Sequence, residues 1–599
     1  EIANIEGVSG ATAIGNTNTG TITLDGTAYS TDGTQTYTAA TGQNIDITGA
    51  ATFTTTNDNI SFATSGVDLA NNGTTTINTG TGAGTVTFGG AIEGNDANAP
   101  FNDLLVITSG TGTVTFTGAI GATNALGGLD VNSSAGDGDI TFTSTIGDTG
   151  NAGVVGTTAI GNAATADLNF NGATYSFDGA TTITAASGDT IDIGAGSATT
   201  FTTAADNITF ATGNIELANG SNLTVDTGAT GGNITIGEIA GTSVETVTLD
   251  AGTGTTSVGV IGSGTEIGAL TIGSAENGGI TLNGAITTDG AVTIDGPVTL
   301  ATGAVSVTTA NDAITFNHAI DGAQTLTLVS GTAATILSGD IGATTPLTGL
   351  TITNGTANGT ITFGGNIGDG SGAGVEGTTS IGNANTADLN FNSTIYSFDG
   401  ATTITAASGD NIDITAGSDT TFTTAADNIT FATANIALAD GSDLTVDTGA
   451  AGGNITIGEI AGTTVETVTL DAGSGTTSVG VIGSGTEIGV VSIGSAENGG
   501  ITLNGAITTN GSVTIDGPVT LATGAISVTT ANDAITFNHT IDGGQALTLV
   551  SGTAATTITG NIGAGTALTG LTITNGTANG TITFGGNIGD GGGAGVEGT

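Results

Sequence analysis

The segment ITLNGAITTDGAVTIDGPVTLATGAVSVTTANDAITF, residues 280–316, contains the pattern that decides the fold. Runs in which Thr or Ser stands between two apolar residues begin at Ile280, Val292 and Ile314, among other positions. Alternation with a period of two residues is typical of a half-buried β-strand, with the apolar side chains inward and Thr outward. Gly, Asn and Asp separate the runs and favour turns. The segment therefore predicts many short strands and almost no helix.

The same triplet recurs with a fixed continuation, because three or four small or polar residues follow it and then an Ile. Examples are Val86–Phe88 with Ile92, Val114–Phe116 with Ile120, Ile140–Phe142 with Ile146, Ile280–Leu282 with Ile286, Ile314–Phe316 with Ile320, and Ile361–Phe363 with Ile367. The break after the triplet is commonly Gly or Asn, as at Gly89-Gly90, which predicts a corner rather than a hairpin. Two or three such strands would form one coil of roughly 20 to 30 residues in a parallel β-helix, or β-solenoid.

This register predicts which aromatic residues form the core. With Thr facing outward, we expect these phenylalanines to point inward: Phe88, Phe116, Phe142, Phe210, Phe316, Phe363, Phe431 and Phe584.

Repetition on a larger scale divides the chain into three tandem modules. Residues 167–378 recur almost unchanged 221 positions later, and a shorter, diverged unit precedes them. The predicted modules are 1–158, 159–379 and 380–599, in a continuous rod without linkers. The last residues match the module junction at 374–378, and no polar capping sequence is evident there. We therefore expect the chain to continue beyond this point or to associate head to tail.

An array of antiparallel β-sandwich domains of the bacterial immunoglobulin type is the alternative fold, since short, regularly spaced strands fit it too. The chain has no Trp and few aromatic residues for sandwich cores. Its modules also do not divide into units of about 90 to 100 residues with a repeated core signature. The all-β solenoid is therefore preferred.

Charge excludes several classes of function. The 599 residues include 52 Asp and Glu but no Lys or Arg, for a formal net charge of −52. Nucleic-acid binding and docking on anionic lipid both depend on Lys and Arg, so neither is expected. No apolar run approaches the ~20 residues that span a bilayer, so no membrane insertion is expected. Like charges should oppose side-by-side packing, and we expect an extracellular or cell-surface location in a salty medium.

The sequence contains no constellation of residues that predicts catalysis. Lyase chemistry on the β-helix fold typically needs Arg or Lys, and most of the acids stand in turn sequences, where Asp favours the turn. Such turns include Asp178-Gly179, Asp295-Gly296, Asp321-Gly322 and Asp516-Gly517. We therefore predict a non-enzymatic protein with no catalytic, cofactor-binding or metal-binding residues.

Four weaker candidates for function are present. His318 and His539 occupy equivalent corners and are interpreted as surface turn residues rather than metal ligands. The stretch 364–374, GGNIGDGSGAG, has some features of a calcium-binding repeat, so Ca²⁺ is weighed as a counterion or structural ion. Sequons such as those at Asn207 and Asn354 leave glycosylation open.

The fourth candidate is a set of Thr pairs that flank a single apolar residue, a pattern that ice-binding solenoids arrange into a grid. The pairs are Thr85 with Thr87, Thr113 with Thr115, Thr246 with Thr248, and Thr360 with Thr362. Because these pairs recur at uneven intervals, a flat grid for ice binding is not expected.

The stretch from Ile280 to Phe316 resembles the β-strand-repeat regions of filamentous-haemagglutinin-like exoproteins and autotransporter-type passenger domains of bacteria. The likeness covers essentially the whole chain. It implies a right-handed parallel β-helix that is secreted and acts in adhesion, aggregation or surface coating.

Two functions are therefore carried forward. The first is a passive structural protein, a subunit or segment of a surface fibre, filament or sheath. The second is an adhesin stalk or glycan-binding surface protein with its binding tip outside this chain.

Overall fold

The computed structural model describes residues 7–69, 73–94, 101–133, 136, 138–148, 150–242, 244–276, 278–355, 358–463, 465–495, 497, 499–576 and 579–598. In this part of the chain the regular structure consists of 62 β-strands and no helix, which confirms the all-β prediction. The chain forms two compact units, Glu1–Val298 and Thr299–Thr599, which are described separately. The three modules predicted from the sequence stay a prediction.

The strands are numbered β1 to β62 in chain order. In the first unit β1 to β31 are Thr12–Gly15, Ile22–Leu24, Ala28–Ser30, Gln35–Thr38, Asn44–Ile47, Ala51–Thr54, Ile60–Ala63, Gly66–Leu69, Thr74–Asn78, Val86–Phe88, Ile92–Gly94, Leu104–Ser109, Val114–Phe116, Gly128–Ser133, Gly138–Phe142, Thr158–Ile160, Thr165–Phe170, Thr174–Ser176, Thr181–Thr184, Thr190–Ile193, Thr199–Thr202, Ile208–Ala211, Asn214–Leu217, Leu223–Asp226, Ile234–Ala240, Val247–Asp250, Thr256–Ile261, Leu270–Gly273, Ile280–Leu282, Ile286–Thr288 and Val292–Asp295. Strand β32 is Val298–Leu300. In the second unit β33 to β62 are Val305–Thr309, Ile314–Phe316, Ile320–Asp321, Thr325–Val329, Thr335–Leu337, Gly349–Thr353, Gly359–Phe363, Thr379–Ile381, Thr386–Phe391, Ile395–Ser397, Thr402–Thr405, Asn411–Ile414, Thr420–Thr423, Ile429–Leu438, Leu444–Asp447, Ile455–Ala461, Thr467–Asp471, Thr476–Ile482, Val490–Gly494, Gly500–Leu503, Ile507–Thr509, Val513–Asp516, Val519–Leu521, Ile526–Thr530, Ile535–Phe537, Ile541–Asp542, Ala546–Val550, Thr556–Ile558, Gly570–Thr574 and Ile582–Phe584.

The strands pair in parallel with the equivalent strands of neighbouring turns. For example, β10 pairs in parallel with β7 on one side and β13 on the other. This is the stacking of a parallel β-solenoid, with about 23 turns in all. Because the pairing is parallel, the antiparallel sandwich alternative does not apply.

The turns differ in length, but the strands stay in register. Paired residues lie 18 positions apart at Ile501 and Val519, and 28 positions apart at Ile361 and Leu389. The corners take up the difference. The expected coil of roughly 20 to 30 residues is therefore close to what the structure shows.

In the second unit the strands form three lines along the stack. Line A consists of β40, β43, β46, β48, β50, β52, β55 and β58. Line B consists of β42, β45, β47, β49, β51, β54, β57, β60 and β62. Line C begins with β41 and β44 and continues through the second halves of β46, β48 and β50. In all three lines buried residues alternate with more exposed ones, as the sequence predicts, except in β62, whose three residues are all exposed.

The core contains columns of stacked aromatic rings. Phe62, Phe88, Phe116, Phe142 and Phe170 occupy successive turns, and their ring centroids lie 4.9, 5.4, 4.8 and 5.3 Å apart. Interplanar angles of 7 to 8° make the rings nearly parallel. The turn spacing of about 4.8 Å thus sets the ring spacing.

Seven of the eight phenylalanines predicted to point inward are buried, and the isoleucines that follow the triplets listed above are buried too. The exception is Phe584, which is 45% exposed, so its predicted burial is wrong. Phe584 lies in β62, which pairs with β60 on one side. No other described strand covers its second side.

Candidate functional site

The two histidines lie on the surface of their turns, as interpreted from the sequence. The His539 Nε2 atom lies 3.2 Å from the Asp516 Oδ1 atom, and both side chains are about one third exposed. Asp516 belongs to β54, one turn before the corner that contains His539. Asp516 was expected only to make its own turn, and it also partners a histidine from the next turn.

The candidate calcium loop is organised around its own aspartate. The Asp369 Oδ1 atom accepts hydrogen bonds from the Ser371 and Gly372 backbone N–H groups at 2.8 and 3.1 Å, and the Ser371 hydroxyl also donates to it. The equivalent Asp148 and Asp590 close their loops in the same way. Hydrogen bonds from Ser371, first from its hydroxyl and then from its N–H, lower the pKa of Asp369. The carboxylate therefore stabilises its own turn.

Three other carboxylates hold the loop of the following turn. The Asp321 Oδ1 atom accepts from the N–H groups of Thr344 and Thr345 at 2.8 and 3.0 Å. Asp542 and Glu93 make the equivalent pairs of bonds. Asp321 was expected to make its own turn with Gly322, whereas its carboxylate links two turns that are 23 positions apart in sequence.

Two glutamates lie in the interior, which the sequence did not indicate. Glu245 and Glu466 are equivalent, and neither is exposed. The Glu245 carboxylate accepts from the Thr242 N–H at 2.6 Å, the Thr242 hydroxyl at 2.5 Å and the Gly220 N–H at 3.0 Å. Burial opposes its ionisation, but the bonds from Thr242 and Gly220 outweigh burial and lower the pKa of Glu245. The carboxylate thus links a loop to the turn below it.

Elsewhere, acidic residues stack directly on one another. Asp46, Asp68 and Glu93 occupy paired positions in three successive turns, and Asp192 pairs with Glu216. Partial burial, and then the neighbouring Asp68, raise the pKa of Asp46. These ladders bring like charges close together, so they lower the stability of the fold at neutral pH. Cations that screen the carboxylates reduce this loss.

Two open grooves occur at equivalent places, one in each unit. The first has a volume of about 620 Å³ and is lined by Ser176, Asp178, Thr202 and Ala204, among others. The second has a volume of about 470 Å³ and is lined by the residues 221 positions later, including Ser397 and Asp399. Asp178 and Asp399 are exposed at the groove wall. Each groove thus offers carboxylate and hydroxyl groups to a polar ligand.

One of the two sequons lies in the interior. Asn354 is fully buried, and its amide donates to the Ser330 hydroxyl at 2.9 Å, so this side chain is not available for glycosylation. Asn207 is exposed, and its Oδ1 atom accepts from the Asn233 N–H at 2.8 Å.

The Thr residues align despite their uneven spacing in the sequence. Six of them share one column on successive turns of the first unit: Thr174, Thr200, Thr224, Thr248, Thr271 and Thr293. Asp226 and Asp250 form an adjacent column. The outward face therefore carries a hydroxyl column beside carboxylates, which the sequence intervals alone did not reveal.

In the described part of the chain, no cluster of three or more His, Asp or Glu side chains is arranged to hold a metal ion. The same residues contain no helix long and apolar enough to cross a membrane. Comparison with known proteins yields no match to a family model, a curated protein or a solved structure.

Proposed function

We propose that this chain is a non-enzymatic, extracellular structural protein, a segment of a surface fibre, filament or sheath. The observation that supports the proposal is how many carboxylates stabilise the stack. Asp321, Asp369, Asp542, Glu93 and Glu245 accept hydrogen bonds from backbone N–H groups of their own or a neighbouring turn. They serve the stack itself rather than converging on a site. The resemblance to bacterial surface exoproteins supports the same role.

The proposal also includes association of the solenoid end to end along its axis. Ile582, Phe584 and Ile588 are 39, 45 and 51% exposed and form an apolar row on the last described turn. The equivalent row in the preceding copy of the module is buried beneath the next turn. We propose that a further turn covers this row, either from a second copy of the chain stacked head to tail or from a continuation of the same polypeptide.

The acidic surface fits a medium that contains salt. With a net charge of −52, the stack gains stability as ions screen the carboxylate ladders. In this proposal Ca²⁺ and other cations act as diffuse counterions.

Sedimentation velocity and electron microscopy across a series of protein and salt concentrations test the axial proposal. We expect filaments that lengthen as salt rises, and we expect Phe584→Asp to prevent their growth. Val465→Asp is the matched control, because Val465 is 61% exposed outside this row and the substitution adds the same charge. A chain that stays monomeric at every salt concentration would contradict head-to-tail stacking of separate copies.

A second candidate function, glycan binding along the side of the solenoid, is favoured by the two equivalent grooves. Their hydroxyl and carboxylate groups suit the hydroxyl groups of a sugar. Screening a panel of cell-surface glycans tests this candidate. Filling both grooves by Ala204→Trp and Ala425→Trp should abolish any binding, and unchanged binding would locate the glycan elsewhere.

A further inference from the structure

From β40 to β55, line A of the second unit has an outward face without any charged side chain. In each of the seven strands β40, β43, β46, β48, β50, β52 and β55, a central Ser or Thr faces outward. The positions two residues away on either side are at least partly exposed, except Gly382 in the flanking column, which is buried. The central column is Ser380, Thr403, Thr430, Thr456, Ser478, Thr502 and Thr520. Its flanking columns contain Thr, Asn, Ala, Gly and one Pro. We call these three columns the neutral face.

Carboxylates are present on the other two lines of the same unit. Line B has Asp443, Asp447, Asp471 and Asp516 at or beside its strands, and line C has Asp388, Asp413 and Glu459. The neutral face ends where Asp542 of β58 takes the position of the central Thr. In a chain with 52 acidic residues and no Lys or Arg, this is an extended face from which charge is absent.

The first unit has an equivalent face. Its central column is Ala159, Thr182, Thr209, Thr235, Ser257 and Thr281, and the positions on both sides are again uncharged. Each copy of the chain therefore carries this surface once in each unit.

The side chains of the neutral face are small and held in place. Asn454 donates its N–H to the Asn428 Oδ1 atom at 2.8 Å and accepts from the Thr476 N–H at 2.9 Å. The Asn504 amide donates to the Ser478 hydroxyl at 3.0 Å. Side chains that are already ordered lose little entropy on contact with a partner.

We propose that two copies of the chain pair side by side through their neutral faces. This inference rests on the proposed structural role and extends it, because pairing would turn single solenoids into a double fibre. Lines B and C would place carboxylates against carboxylates, whereas the neutral face brings two such acidic chains together without that repulsion.

Distance and screening support this choice of face. Packed sheets lie about 10 Å apart, and the screening length at physiological ionic strength is about 8 Å. Carboxylates on a contacting face would therefore lie within reach of one another. Those on lines B and C lie farther from the partner and are screened by salt.

The area is sufficient for a specific contact. Seven turns spaced by about 4.8 Å and three columns two residues apart give a patch of roughly 30 by 15–20 Å. Two such patches bury on the order of 1,000 Å² in one unit, which is near the lower limit for a specific interface.

Sedimentation velocity in a Phe584→Asp background tests the pairing separately from axial growth. We expect a dimer that strengthens with salt. Thr235→Asp with Thr456→Asp places one carboxylate on the neutral face of each unit and should weaken dimerisation at least about tenfold. The matched control is Thr248→Asp with Thr469→Asp, which adds the same charge beside the acidic column of each unit and should leave the dimer intact.

A second pair of variants adds bulk instead of charge. Space is open around Gly237 and Gly458, so Gly237→Gln with Gly458→Gln should fold and also block pairing. Circular dichroism verifies the fold of every variant.

Three results would overturn the inference. The first is a monomer at every salt concentration, and the second is a dimer that the neutral-face variants leave intact. The third is a monomer that instead binds an insoluble neutral polysaccharide through its neutral face. Filaments without pairs would contradict only this inference. Pairs without filaments, in the chain with Phe584 intact, would contradict only the axial proposal.

Discussion

Residues 358–370 and 579–591 have the same amino-acid sequence but different burial. In the first segment Ile361, Phe363 and Ile367 are at most 1% exposed. Their counterparts Ile582, Phe584 and Ile588 are 39 to 51% exposed. Since the residues are identical, the difference arises from what surrounds each segment.

The neighbouring turns account for this difference. Strand β39 lies between β37 and β41, and the ring of Phe391 in β41 stacks on Phe363 at a centroid distance of 5.2 Å. Strand β62 has a paired strand on one side only. The local sequence is thus enough to form a strand in both places, whereas burial of its apolar row depends on a second neighbouring turn.

The largest expected effect comes from removing the same side chain in the two segments. Phe363→Ala leaves a cavity between two turns and should lower the free energy of unfolding by about 3–5 kcal/mol. Phe584→Ala should cost less than about 1.5 kcal/mol in the unassociated chain, since its ring is half exposed. Urea denaturation followed by circular dichroism measures both. Equal losses would contradict the role of the second turn, and Thr362→Ser and Thr583→Ser are controls that should change little.

The buried glutamates Glu245 and Glu466 provide a polar counterpart to this comparison. In an interior turn their carboxylates accept hydrogen bonds that connect the turn to its neighbour. Glu466→Gln places an amide where the carboxylate accepts hydrogen bonds and should cost about 1–3 kcal/mol at neutral pH. For Glu245, whose folded-state pKa is lowered, the contribution is present above the unfolded-state pKa and is lost as pH falls through the folded-state value. Thermal unfolding of Glu245→Gln should therefore lose this acid dependence, and an unchanged pH profile would contradict it.

A partly buried aspartate near another carboxylate should have the opposite pH dependence. Burial, and then the nearby Asp388, raise the pKa of Asp413. Its contribution is favourable below the unfolded-state pKa and is lost as pH rises through the raised folded-state value. Asp413→Asn should therefore stabilise the protein at pH 7 by less than about 1 kcal/mol. Thermal unfolding beside the exposed control Asp419→Asn measures this, and a destabilised Asp413→Asn protein would contradict it.

The smallest effect is expected at the histidine corner. His539→Asn removes a partly exposed contact with Asp516, so it should change stability by less than about 0.5 kcal/mol. Thermal unfolding at low and high salt measures the change. A loss above 2 kcal/mol would show that the corner contributes more than one exposed contact.

The sequence predicts the strands, the solenoid and most of the core, because each depends on alternation within a few residues. Phe88 and Ile92 are examples whose burial follows from their own triplet and corner. The prediction that Phe584 is buried is wrong, because burial of its apolar row depends on another turn.

The features that connect turns could not be predicted in the same way. The sequence alone predicts that Glu245 lies on the surface, as charged residues usually do. Its burial follows from contacts with Thr242 and the more distant Gly220. The alignment of the Thr columns depends on corner lengths that only the closed turns fix. A signal for Glu245 was available, since it follows Thr242 in a Gly-containing loop that recurs 221 positions later with Glu466.

Hydrogen exchange of the two identical segments tests the central claim most directly, which is that each turn depends on its neighbours for burial. Mass spectrometry distinguishes them in peptides that include Ser371 or Gly592. In dilute, unassociated protein, we expect the amides of 582–588 to exchange much faster than those of 361–367, and to become protected when the chains associate. Equal exchange in dilute protein, from two segments that the structure places in different surroundings, would contradict the account.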